Sequence, residues 1–281
     1  MSALGPDLRH ALRGLARSPG FALSVALSLA IGVGANAAVF SVASALLLRP
    51  LPYADPERLV ILWNRSPGIG ITEDWFSTAQ YFDIRANHSG FEALAIAIGA
   101  NYNLTGGGVP ERVGTIRASA NLLPMLGARA AHGRLLTEAD AVPGGPRRAV
   151  LGHATFLRRF GGDPAVVGRS LVLNGEPYEI VGVLDAGFDI PREVMPTLGG
   201  AEHSEIVVSL PLAADAATVR NREDYNIVGK LKPDVDLASA QSELDRITAA
   251  ADRLEKLLSP DADAALDDFR ADLESESDRA D

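Results

Sequence analysis

The chain has 281 residues, 47% of them hydrophobic, no cysteine and a formal net charge of −10. That length allows one membrane anchor and one or two folded domains. The missing cysteines exclude disulfides, thiolate metal sites and a cysteine nucleophile, and no basic patch or stripe points to nucleic acid.

The N-terminal segment places Arg9, Arg13 and Arg17 four residues apart, with Leu4, Leu8, Leu12 and Leu15 on the other face. That pattern fits a basic helix lying on a membrane surface; an unstructured basic segment is the alternative. No charged residue then occurs until Arg49, and Phe21 to Leu48 is apolar or small throughout. As a helix this run reaches about 42 Å, whereas a bilayer core needs about 20 residues. A helix satisfies its own backbone hydrogen bonds and so can cross lipid. The arginines before the run outweigh the balanced charges after it, which puts the N-terminus in the cytoplasm and the bulk of the chain outside. A cleaved signal peptide ending at Ala35-Asn36-Ala37 or Ala43-Ser44-Ala45 competes with this reading, but its n-region would be long, and a cut at 37 would leave the apolar stretch from Ala38 to Leu48 exposed. Within the run, Ala26, Ala30, Gly34, Ala38, Ser41 and Ala45 form a small-residue stripe of the kind that lets membrane helices approach closely. Asn36, in mid-run, would seek a partner on another helix. The residues expected to carry helix packing are Ala30, Gly34, Asn36 and Ala38.

Pro50 and Pro52 end the helix. Beyond them Leu59 to Trp63 reads as a buried strand, Trp75 to Asn87 as a helix, and Ala93 to Ile98 and Val113 to Ala118 as strands around the Gly106-Gly107-Gly108 loop. Ser119 to Leu126 is a short helix capped by Ser119 or Asn121. Ala154 to Phe160 is another, closed by Gly161-Gly162. The strongest local signal is Asn174-Gly175 between two β-rich runs over 170–183, a type I′ hairpin. Ile206 to Leu210 and Tyr225 to Leu231 add strands. A helix over 236–258 opens on Asp236 and carries Leu237, Ala240, Leu244, Ile247, Ala251, Leu254 and Leu258 at 3-4 spacing. Residues 251–281 hold 11 acidic and 4 basic side chains, a balance of −7, and the tail after Pro260 reads as polar and disordered. Strands and helices interleave without strict alternation. The fold class is therefore α+β: one N-terminal transmembrane helix and a mixed α/β extracytoplasmic core domain of two subdomains.

The chain has no phosphate-binding G-x-x-x-x-G-K-[ST], no G-x-S-x-G elbow and no H-E-x-x-H. Its histidines, His10, His88, His132, His153 and His203, are isolated in sequence. No catalytic, cofactor-binding or metal-ligating residue is singled out, and the chain is not read as an enzyme.

Four blocks together carry a resemblance: DLRHALRGLARSPGF (7–21), LSLAIGVGANAAVFSVASALLLRPLPYADPERLV (27–60), RRFGGDPAVVGRSLVLNGEPYEIVGVLDAGFDIP (158–191) and LKPDVDLASAQSELDRI (231–247). In order and spacing they resemble the N-terminal half-module of MacB/FtsX-type ABC transporter permeases of the duplicated, ADOP-like kind. The resemblance implies a cytoplasmic segment over 1–20, a transmembrane helix over 21–48, a MacB-like core domain over 49–258 and a tail over 259–281. It implies insertion in a bacterial inner membrane among lipid. The partners would be a cytoplasmic ABC ATPase and another permease chain or a second copy. ATP would be bound by that separate ATPase, and no cofactor by this chain. It also casts Gly161, Gly162, Asp163 and Pro164 as a turn after a helix, Asn174 and Gly175 as a hairpin tip, and Gly187-Phe188 to Pro191 as the close of the next strand. Such permeases regain the membrane after their core domain, and this sequence shows no second long apolar run. The expectation is a subunit for efflux or mechanical transmission, or a truncated copy that does not transport. The alternative is a stand-alone anchored binding domain.

Overall fold

A computed structural model describes residues 19–43, 53–66, 70–106, 108–190, 195, 203–213 and 215–257. Arg9, Arg13 and Arg17, the end of the apolar run after residue 43, Pro191 and the acidic tail lie outside these. The chain divides into two compact units, Met1–Leu51 and Pro52–Asp281.

In the first unit, helix α1 covers Pro19–Ala43. At 1.5 Å per residue it is about 37 Å long. Its sequence is apolar on every side, so no stripe marks a preferred buried face.

The second unit is built on a mixed sheet with nine strands among the described residues. Its strands are β1 (Leu59–Leu62), β4 (Phe91–Thr105), β5 (Glu111–Ala118), β6 (Ala130–Gly133), β7 (Arg148–Leu151), β8 (Ser170–Leu173), β9 (Glu176–Leu184), β10 (Ile206–Ser209) and β11 (Asn226–Leu231), while β2 (Asn64–Ser66) and β3 (Ile71–Asp74) form a separate ribbon. The order is β1-β11-β4-β5-β10-β7-β9-β6, with β8 bonded to β4 and β9. Pairs β5–β10 and β7–β9 are parallel and the rest antiparallel.

Side-chain alternation sorts the core onto two faces. Ala95, Ala97, Ile116, Val150, Val207 and Val228 share one cluster. On the opposite face Ala149, Leu151, Ile206 and Val208 pack under helix α4 (His153–Phe160) through Phe156. Farther along, Leu94, Ile96 and Ile227 pack under helices α2 (Thr78–Asn87) and α5 (Leu237–Leu257). With both faces covered, a central strand such as β10 is apolar along most of its length: Ile206, Val207 and Val208 are buried, as is the polar Ser209 that ends it.

Several boundaries differ from the sequence reading. Helix α2 starts at Thr78, not Trp75, because Phe76 is taken by a bridge to Tyr225 (N to O 2.8 Å) and Ser77 forms a capping box with Gln80. Strand β4 runs on to Thr105, since Ala97 to Leu104 pair with β5 despite the polar Asn101 and Asn103. The short helix α3 spans only Leu122–Met125 and has no side-chain cap. The Asn121 amide instead donates to the Leu94 carbonyl at 2.8 Å, while Ser119 Oγ accepts from Ile96 N–H at 3.1 Å. Leu237, first in the apolar stripe of α5, is 63% exposed; Ala240 is buried and Leu244 and Ile247 are half-buried against α2 and the sheet.

Candidate functional site

Three features of this chain can bear function: the surface of α1, the root of the second unit and a polar cleft on its sheet. Among the described residues α1 is the helix long and apolar enough to cross a bilayer, and its apolar window Pro19–Ser41 has a mean hydropathy of 1.9 with none of it buried. The hydroxyls of Ser24 and Ser28 donate to the carbonyls of Gly20 and Ser24, each at 2.9 Å, so they need no outside partner. Ala30, Gly34 and Ala38 form one row at four-residue spacing, and a Cβ at Gly34 would meet nothing within 4 Å. Asn36 does not share that row. At about 100° per residue it stands roughly 200° from Gly34, in line with Ser24, Ser28 and Gly32. The small-residue row and Asn36 therefore lie on different sides of α1.

At the root of the second unit, the segment from Tyr53 to Arg58 is tied to four places. Tyr53 donates its hydroxyl to the Asp189 carbonyl at 2.9 Å and stacks edge-on against Phe188 at 5.8 Å. Ala54 N–H donates to the Leu126 carbonyl at 3.1 Å. Asp55, held at φ 51°, pairs with Lys230 Nζ at 2.7 Å. Lys230 shows only 12% of its side chain to solvent, and its ammonium holds the Asp55 carboxyl below the usual range. Arg58 donates through Nε to the Leu231 carbonyl at 2.8 Å and forms an ion pair with Glu92. One short segment therefore grips β11 and β4, and β11 leads within a few residues into α5. At that helix, Asp236 caps the first turn by accepting from Ser239 N–H at 2.7 Å. One turn on, Glu243 accepts from Ser89 N–H at 2.8 Å and Gly90 N–H at 2.9 Å. Burial acts to raise the Glu243 pKa, but these hydrogen bonds hold it below the usual value.

A cleft of about 830 Å³ opens at the N-terminus of α4. Its charges face one another: Arg158 with Glu205 at 2.5 Å and Glu111 at 3.6 Å, and His203 Nδ1 with Asp189 at 2.5 Å. Ser204 Oγ donates to the Ile206 carbonyl at 3.4 Å rather than to an imidazole. Ser204 is thus not set on the acid–imidazole pair as a nucleophile. Of the other histidines, His132 and His153 lie against Phe156, and burial lowers the pKa of His88. Among the described residues no three His, Asp or Glu side chains come together as a metal site.

Gly161 ends α4 in the left-handed region at φ 64°, and its N–H reaches the Leu157 carbonyl at 3.1 Å. Gly162 follows, and Asp163 accepts from Ala165 N–H at 3.0 Å over Pro164, starting a 3₁₀ turn. Asn174 and Gly175 have φ of 49° and 85°, the pair of positive values a type I′ turn requires. Asn174 Oδ1 also accepts from Asn103 N–H at 2.8 Å, which ties the hairpin tip to β4.

The MacB-like periplasmic core domain matches residues 22–247, from inside α1 to the third turn of α5. The chain belongs to this family. Its fold is shared with a domain of a permease protein from Porphyromonas gingivalis, at 16% identity over 70% of this chain and 86% of that one, with a TM-score of 0.50. The periplasmic region of MacB from Actinobacillus actinomycetemcomitans aligns at 16% identity over 69% of this chain and 83% of that one, TM-score 0.48. The extracellular domain of the noncanonic ABC-type transporter YknZ from Gram-positive bacteria aligns at 13% identity, TM-score 0.47, covering 67% of this chain and 90% of that one. No curated protein matches. The family is a permease domain and not a classical enzyme.

The root of this MacB-like unit escaped the sequence reading. Asp55 and Lys230 lie 175 positions apart, and Arg58 and Leu231 are 173 apart. No local pattern links them; the nearest signal is the charge of Asp55, Glu57 and Arg58 beside Pro56, which read only as a neutral flank.

Proposed function

We propose that this chain is a permease-type subunit of an ABC exporter, anchored in the bacterial inner membrane by α1 with its N-terminus in the cytoplasm and its MacB-like unit outside. A separate cytoplasmic ATPase binds and hydrolyses ATP. Another permease chain, or a second copy of this one, packs on the two small-residue rows of α1, with Asn36 bonding to one neighbour and the Ala30–Gly34–Ala38 row receiving another. The work of the chain is mechanical: displacement of the anchor reaches the extracytoplasmic unit through Tyr53 to Arg58.

The observation that carries this reading is the grip of Asp55 and Arg58 on Lys230 and Leu231. The segment following the anchor and the strand leading into α5 are fastened to each other rather than to opposite sides of the unit. A pull on one must move the other, because packed elements shift as blocks. A tethered binding domain would need no such fastening.

The test is purification of the full chain from native membranes in mild detergent. A stoichiometric ATPase with vanadate-sensitive ATP hydrolysis, together with a second permease chain or second copy, is the expected result. A monomer without nucleotide hydrolysis would overturn the reading.

A further inference from the structure

A second cleft, of about 490 Å³, lies on the sheet away from the Arg158 cluster. Tyr102 of β4 and Arg117 of β5 line it from the sheet, Asn174 and Tyr178 from the β8–β9 hairpin, and the loop ending at Arg147 from the other side. The acids at this cleft are already matched. Asp140 is held by Arg134 at 2.5 and 2.9 Å, and Glu176 pairs with Arg147 at 3.1 Å. Arg117 is half-buried, and among the described residues no carboxylate pairs with it. A guanidinium carries five donors in a planar fork and no acceptor, and a partly buried one is normally matched by an anion. Tyr102 and Tyr178 line the same cleft beside it. Burial, then the neighbouring Tyr102, raises the Tyr178 pKa against the opposing pull of Arg147 and Arg117. The phenol is thus neutral at physiological pH and can donate.

We infer that this cleft binds a hydroxylated small molecule bearing one carboxylate or phosphate group, with the oxyanion on Arg117 and the hydroxyls on the tyrosine pair. The volume falls within the usual range for small-molecule sites, about 300–1,000 Å³. A planar oxyanion accepts two parallel N–H bonds from the fork. The tyrosine faces and hydroxyls suit a sugar-like body better than an apolar one, because each ring offers an apolar plane ending in a polar tip.

The test uses the full chain in detergent, titrated by calorimetry with glucuronate, glucose 6-phosphate, glucose and inorganic phosphate. Saturable binding of glucuronate or glucose 6-phosphate at least about tenfold tighter than glucose or phosphate is the expected result. Arg117→Gln should weaken it by roughly 10- to 100-fold, the range of a lost charge-assisted hydrogen bond. Arg117→Lys keeps the charge without the fork and should fall between. Arg222→Gln, at an ion-paired residue outside this cleft, should change binding less than about threefold. Thermal melting of each variant separates loss of the ligand from loss of the fold. Phosphate binding as tightly as the sugar phosphate would overturn the hydroxylated-body assignment. No saturation by about 20 mM, or unchanged binding by a folded Arg117→Gln protein, would overturn the site.

Discussion

Asp140 is where the stability of the MacB-like unit should depend most clearly on one charge. Its carboxylate accepts two bonds from Arg134, at 2.5 and 2.9 Å, and two from Thr137, through N–H at 2.8 Å and Oγ1 at 2.9 Å. Only 6% of its side chain is exposed. The Arg134 bonds come first among the causes, ahead of the opposing effect of burial, and hold its pKa at about 2 against an ordinary 3.8. The difference of 1.8 units corresponds to about 2.4 kcal/mol at ~1.36 kcal/mol per unit. Because Arg134 is itself 48% exposed, solvent screening reduces this to about 1–2 kcal/mol. A depressed carboxylate pKa contributes stability that is present above the unfolded value near 4 and is lost as pH falls towards 2. Asp140→Asn should therefore destabilise the protein by about 1–2 kcal/mol at pH 7 and remove that share of its acid sensitivity. Asp140→Ala also loses the cap on the 3₁₀ turn Glu138–Ala141, and the total should reach about 2–3 kcal/mol. Urea unfolding followed by the fluorescence of Trp63 and Trp75, at pH 7 and pH 3, measures both effects. If wild type and Asp140→Asn lose the same free energy between the two pH values, the reasoning fails.

Three further outcomes are expected. Asn174→Ala, which must hold a positive φ and loses the bond from Asn103, should cost about 1–2 kcal/mol in the same unfolding assay. Gly182→Ala should cost about 3 kcal/mol or more, or abolish soluble expression, because a Cβ there overlaps the Arg134 carbonyl oxygen across the β6–β9 edge. Glu243→Ala should leave the sheet intact and speed hydrogen exchange at Ser89 and Gly90, whose amides lose their acceptor, and at the first turns of α5, which lose their tie to that loop; unchanged protection in α5 would show that it is held by its apolar contacts alone.

The sequence was most legible where chemistry is local. Asn174-Gly175 announced its turn because few residue pairs tolerate two positive φ values, and β10 announced itself because burial on both faces leaves the apolar run Ile206-Val207-Val208. It was least legible where pairing is distant. The second half of β4 carries Asn101 and Asn103 and is a strand only because β5 lies beside it. Four-residue β7 has too few positions to show a period, yet it bridges β10 and β9. The same limit hid the root: Asp55 finds Lys230, and Arg58 finds Leu231, only after β1 has paired with β11. On α1 the small residues were visible, but the opposition of Asn36 and Gly34 emerges only when 100° per residue is applied position by position.

The most direct test of mechanical coupling is a charge exchange at the root. Asp55→Lys, Lys230→Asp and the double exchange would be compared in the assembly purified from native membranes and reconstituted in lipid, with ATP hydrolysis as the readout. Each single exchange sets two like charges face to face where Asp55 and Lys230 stand 2.7 Å apart. Hydrolysis should fall in both single variants and recover in the double. Full wild-type rates in folded single variants, or a double variant as impaired as either single, would contradict the account.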